Sequence, residues 1–102
     1  MILTGLLWTT TSKAASADLL QMLVGTYTTD SKSDGIYSLH FDQSSGKARI
    51  ISSAKIGNPS FLRISKDARR IYSVSEYNDE KASANITGFN PGTGTFGTTV
   101  SI

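Results

Sequence analysis

Phe41-Asp42-Gln43-Ser44-Ser45-Gly46 is echoed 48 positions later by Phe89-Asn90-Pro91-Gly92-Thr93-Gly94. Each hexapeptide starts on an aromatic residue that closes an alternating stretch. Each then has an Asx residue, whose side-chain oxygen can cap a turn, and ends on a glycine free to take a positive φ. A weaker pair, Val24-Gly25-Thr26-Tyr27 and Val74-Ser75-Glu76-Tyr77, is offset by 50 positions.

Outward from these turns, Thr, Ser, Tyr, Ile and Val alternate with polar residues and are broken by Gly, Asn and Asp. This is strand composition with turn punctuation, and no stretch keeps a helical period. The pattern predicts strands over 20–28, 35–42, 49–56, 60–65, 70–77, 83–89 and 96–102. In the second of these, Tyr37, Leu39 and Phe41 share one face, with Ile36, Ser38 and His40 on the other. Four strands in a period near 48 suit β-propeller blades, which repeat at roughly 40 to 50 residues. The expected fold class is all-β, with antiparallel four-stranded blades. A β-sandwich is the other architecture this spacing allows.

Composition narrows the function classes. The chain has 102 residues, 10 Lys and Arg against 8 Asp and Glu, a net charge of +2, one histidine and no cysteine. Disulfides, thiolate chemistry and cysteine zinc sites are excluded. The basic residues are scattered, with Arg69-Arg70 adjacent, so no nucleic-acid stripe forms. No metal and no other cofactor is expected.

Residues 1–17 differ from the rest. Ile2 to Trp8 is apolar, and Ala15-Ser16-Ala17 reads as a signal-peptidase site. The apolar run is far too short to span a bilayer. A periplasmic or secreted protein is expected, with a cytoplasmic one as the alternative. No Lys or Arg precedes the apolar run, which suggests a start inside a longer leader. The domain reading is a signal peptide over 1–17, an incomplete first blade over 18–56 lacking its innermost strand, and a second blade over 57–102.

Leu23-Val24-Gly25-Thr26-Tyr27-Thr28, Gly35-Ile36-Tyr37, Phe41-Asp42 with Gly46, Gly57-Asn58-Pro59-Ser60-Phe61-Leu62, Ile64-Ser65-Lys66-Asp67 and Ile71-Tyr72-Ser73-Val74-Ser75-Glu76 come in an order that resembles the start of the bacterial lactonase family. These are seven-bladed propellers related to 6-phosphogluconolactonase and to muconate cycloisomerase-type propellers. The resemblance implies about two blades of seven, with the remaining blades missing from this stretch. It departs from the family pattern where Pro is expected near Lys66, Gly near Ala68 and Asn near Ser75. Two isolated blades leave apolar sheet faces uncovered, so the pair is expected to aggregate or stay partly molten by itself.

The resemblance further implies hydrolysis of a sugar lactone such as 6-phosphogluconolactone in a central cleft. Meander topology should bring the 27–34 loop, the 57–59 link and the 76–81 loop to one end of the sheets. The turns at 43–46, 66–68 and 91–94 should lie at the other end. Glu76 is the candidate base, since lactone opening needs activated water. Asn58, Tyr27 and Thr26 are the candidate substrate contacts. The alternatives are a non-catalytic propeller that binds a glycan or protein partner, and a truncated product without function. His40, Arg63, Arg70 and the acidic residues Asp30, Asp34, Asp79 and Glu80 read as surface or local structure. Asn85-Ile86-Thr87 is a glycosylation triplet, relevant only in a eukaryotic secretory route.

Overall fold

Alternating β-branched and polar residues fold here into antiparallel strands joined by Asx and glycine turns. The computed structural model describes residues 6–13 and 18–102. The first sheet holds β1 (Leu6–Lys13), β2 (Leu19–Thr26), β3 (Gly35–Asp42) and β4 (Ala48–Lys55), in that order. The second holds β5 (Pro59–Ile64), β6 (Arg70–Ser75), β7 (Ser83–Asn90) and β8 (Thr95–Ser101), also in order. The seven strands read from the sequence are all present, with ends that differ by at most two residues. β1 is an addition. It comes from within the apolar leader and runs antiparallel to β2, with Thr9 opposite Val24 and Lys13 opposite Leu20. Ala15-Ser16-Ala17, the expected cleavage site, lies outside the described residues.

The two hexapeptide turns have the same geometry. Gly46 and Gly94 both have φ of 74°. Gly46 N–H donates to the Asp42 carbonyl at 2.8 Å, and Gly94 N–H to the Asn90 carbonyl at 2.7 Å. Asp42 Oδ1 accepts from Ser44 N–H at 2.9 Å, and Asn90 Oδ1 from Gly92 N–H at 2.9 Å. The Asx side chain sets the turn and the glycine supplies the left-handed step.

The sheets pack face to face. Leu23, Ile36, Ala54 and Ile56 from one side meet Leu62, Ile71 and Phe89 from the other. Each large aliphatic side chain buried here contributes about 1.5–3 kcal/mol. The inner face of β3 is thus the Ile36-Ser38-His40 face, with Leu39 and Phe41 on the opposite one. Gly25 sets how close the sheets come, because a Cβ there would lie 2.8 Å from the Pro59 carbonyl oxygen. At the other end, Gln21 Nε2 donates to the Pro91 carbonyl at 3.0 Å. Ser52 Oγ donates to the Gly94 carbonyl at 2.6 Å. The β7–β8 turn is thereby tied to the first sheet.

Along β6 the pattern is inverted. Ile71, Ser73 and Ser75 are buried between the sheets, while Tyr72 and Val74 are exposed with Phe61, Ile86 and Val100 on the outer face. Phe61 is 54% exposed and Val100 62%, too much for a finished sheet face.

The β5–β6 turn carries local strain. Ala68 sits at φ of 61°, a left-handed conformation that costs an L-residue about 1–2 kcal/mol. Asp67 holds the turn closed, with its Oδ1 accepting from Ser65 Oγ at 2.7 Å and from Arg69 N–H at 3.0 Å. Replacing Ala68 by Gly relieves the strain but adds unfolded-state freedom. Ala68→Gly should therefore raise the stability of the full chain by about 0.5–1 kcal/mol, read as a higher thermal or denaturant midpoint.

Candidate functional site

Antiparallel order sends the 27–34 loop, the 57–59 link and the segment after β6 to one end of the sheets. Asn58 is where they meet. It is buried, with φ of 41°, a left-handed position that Asn tolerates better than most residues. Its Oδ1 accepts from Thr28 N–H at 2.8 Å, Thr29 N–H at 3.1 Å and Thr28 Oγ1 at 3.2 Å. Its Nδ2 donates to Thr29 Oγ1 at 2.8 Å and to the Glu76 carbonyl at 3.2 Å. Its own N–H donates to Thr28 Oγ1 at 3.1 Å, and its carbonyl accepts from Glu76 N–H at 3.0 Å. One amide therefore pins the loop after β2 to the end of β6.

Above this clamp Tyr27 and Glu76 reach each other across the two sheets. The Tyr27 hydroxyl donates to Glu76 Oε2 at 3.2 Å, and both side chains are exposed. Ser31 Oγ donates to the Tyr27 carbonyl at 2.9 Å and steadies the loop beneath the ring. The Tyr27 hydroxyl ionises above its ordinary 10.0. Partial desolvation is the larger cause, followed by the charge of Glu76 and the hydrogen bond to it. At neutral pH Tyr27 is thus a neutral donor held against a carboxylate.

The other candidates sit differently. Thr26 is buried, its hydroxyl against Ser33 Oγ and donating to the Gly35 carbonyl at 2.9 Å. It closes the β2–β3 connection and leaves nothing for a ligand. Asn58 likewise has each side-chain polar atom occupied by the loops it joins. Of the four residues singled out from sequence, Tyr27 and Glu76 form the exposed pair, and Asn58 and Thr26 hold the backbone beneath it. His40 pairs across β3 with Gln21 and Arg49, toward the opposite end of the strand from this pair. Asn85 of the glycosylation triplet is buried and bonded to serine hydroxyls, so its amide is closed to a glycan. Among the described residues no three acidic or histidine side chains gather as a metal site would need.

A profile of the lactonase family, described as a seven-bladed β-propeller, matches residues 21–100. The chain belongs to the lactonase family. Two solved structures agree with this membership. One, assigned as a 6-phosphogluconolactonase from Bacteroides fragilis NCTC 9343, is 34% identical with a TM-score of 0.73 and covers 86% of this chain. A second, assigned to the same activity in Bacteroides uniformis ATCC 8492, is 43% identical with a TM-score of 0.72 and covers 82%. The match spans 25% of each of those chains. A search of curated proteins found no match. Within a lactonase-family ring the two sheets are neighbouring blades.

Two measurements follow from the clamp and the pair. Asn58→Ala removes a buried amide and places at positive φ a residue that tolerates it less well than Asn, so it should cost about 3 kcal/mol in denaturant unfolding of the full chain. In a spectrophotometric titration Tyr27 should ionise above 10.0. Glu76→Gln should bring it part of the way back, because desolvation remains when the charge is gone.

Proposed function

We propose that this chain forms part of a propeller that hydrolyses a sugar lactone, with 6-phosphogluconolactone as the leading substrate. The observation that carries the reading is the exposed Tyr27–Glu76 pair at 3.2 Å, on the end of the blades where the connecting loops converge. Lactonase-family membership and the assignments of the two similar structures support it. Fold alone does not fix an activity, so the weight falls on the pair.

Lactone hydrolysis adds water to the ring carbonyl and breaks the ring C–O bond. Glu76 takes a proton from the attacking water as its oxygen bonds to the carbonyl carbon. The ring oxygen leaves as an alkoxide and takes up that proton, giving the open hydroxy acid. Tyr27, neutral at working pH, holds one carboxylate oxygen and leaves the other free for water. Asn58 keeps the two elements that carry Tyr27 and Glu76 at a fixed separation. The opposing wall of the cleft and the donors for the developing oxyanion come from other blades.

A leader cleaved after Ala17 would remove β1, the fourth strand of the first sheet, so the pairing of Leu6–Lys13 with β2 weighs against export in that form. In an exported form the reading shifts to a non-phosphorylated aldonolactone, since sugar phosphates are cytosolic. Assaying gluconolactone beside its 6-phosphate discriminates the two substrates.

In the full-length propeller, Glu76→Gln should lower kcat/KM by about 100-fold or more, the usual scale of a lost general base. Tyr27→Phe should lower it by about 10-fold, the scale of one lost hydrogen bond to a charged group. Unchanged lactonase activity in Glu76→Gln sinks the reading.

A further inference from the structure

At the loop-bearing end a cleft of about 270 Å³, with neither Tyr27 nor Glu76 in its lining, opens between the two sheets. It runs from Lys55 at the end of β4 to Ser101 at the end of β8, with Ser75, Tyr77, Lys81 and Asn85 along its walls. No carboxylate lines it. Among the described residues neither Lys55 nor Lys81 has an ion-pair partner. Asp34 is engaged with Ser53 Oγ at 2.7 Å, and Asp79 Oδ1 caps the Lys81 N–H at 2.9 Å.

Hydrogen-bond accounting gives the wall a sign. Buried Asn85 donates through Nδ2 to Ser75 Oγ at 3.0 Å and to Ser73 Oγ at 3.3 Å. Its Oδ1 accepts from Ser83 Oγ at 3.1 Å and Ser101 Oγ at 2.7 Å. The protons of Ser83 and Ser101 are therefore spent. Ser75 accepts from the amide, which leaves its own O–H without an acceptor although the residue is 7% exposed. Among the described residues the Tyr77 hydroxyl, lying over Gly57, has none either. The capacity left over in this cleft is donor capacity, two neutral O–H groups and two ammonium groups. A buried donor without an acceptor is costly, and an oxyanion satisfies several at once.

The geometry points to an anion site in this cleft, sized for a phosphate group and held by Lys55, Lys81, Ser75 and Tyr77. It is separate from the Tyr27–Glu76 pair and stands or falls independently of the lactonase reading. Glu76 lies between Ser75 and Tyr77 in sequence, yet strand alternation turns it away from the cleft. The anion is either free phosphate or the phosphate of a monoester.

Calorimetric titration of the full chain with inorganic phosphate at low ionic strength tests this. One saturable site is expected, weakening as salt rises. Lys55→Gln and Lys81→Gln, both on exposed side chains that fold does not need, should each weaken binding by about 5-fold or more. Ser75→Ala should weaken it by about 10-fold or more, the lower end for a hydrogen bond to a charged group. Equal affinity for phosphate and glucose 6-phosphate assigns the site to the anion alone, and tighter binding of glucose 6-phosphate assigns it to the monoester. Either result supports the site. No saturable phosphate binding, or binding that both lysine variants leave unchanged, overturns it.

Discussion

The link between the sheets has to reverse direction, pass the edge of the first sheet and start β5 close against β2. Asn58 makes that possible. Its backbone supplies a left-handed step, and its amide satisfies the loop after β2 and the end of β6. These groups are polar and partly buried, so the site requires a side chain with both donor and acceptor in one plane. Aspartate lacks the donor, and glycine lacks both groups. The Tyr27–Glu76 pair and the close approach at Gly25 both depend on this junction holding its shape.

The core beneath it is unusual for the share of polar groups between the sheets. Ser73, Ser75, Asn85 and Thr87 are buried opposite a first sheet that contributes Leu23 and Ile36. Such a core holds when each amide finds its hydroxyls, and Asn85 does so with serines from β6, β7 and β8. Directional bonds of this kind fix one register between strands, whereas aliphatic packing tolerates several. Asp42 and Asp67 add a pH term at the turns. Hydrogen bonds from Ser44 and Ser65 respectively are the main causes that hold these carboxyls below their ordinary 3.8. Because the folded pKa values lie below the unfolded 3.8, this support is fully present above 3.8 and is lost as pH falls below it through the lowered folded values.

Much of the fold was legible in the sequence because turns are local chemistry. Asp42 with Gly46 and Asn90 with Gly94 announce their own geometry, and strict alternation along 35–42 and 70–75 leaves little choice but strand. The convergence of Tyr27, Asn58 and Glu76 also followed from counting strand ends. Less legible was which candidate would be consumed by structure. Asn58 and Thr26 look like ligand donors in a string of letters, yet their partners lie about 30 and 9 residues away and only the packed form reveals them. β1 was hidden for another reason: its apolar start, Leu6 to Trp8, and the polar residues after it have the composition of a leader and its cleavage region. Lys55 and Lys81 carried no motif at all, since a cleft between sheets leaves no local trace.

Consider last the outer face of the second sheet, with Phe61, Tyr72, Val74 and Ile86. In a ring of such sheets every unit is born with one face satisfied by its predecessor and one waiting for its successor. Assembly during synthesis therefore has a direction, and each intermediate carries one open face fixed on its first unit and one adhesive front that moves along the chain. The front disappears only when the last unit meets the first. Until then the growing protein is at its most vulnerable to foreign surfaces, so the speed of the later blades, more than the stability of the early ones, governs the yield of closed rings.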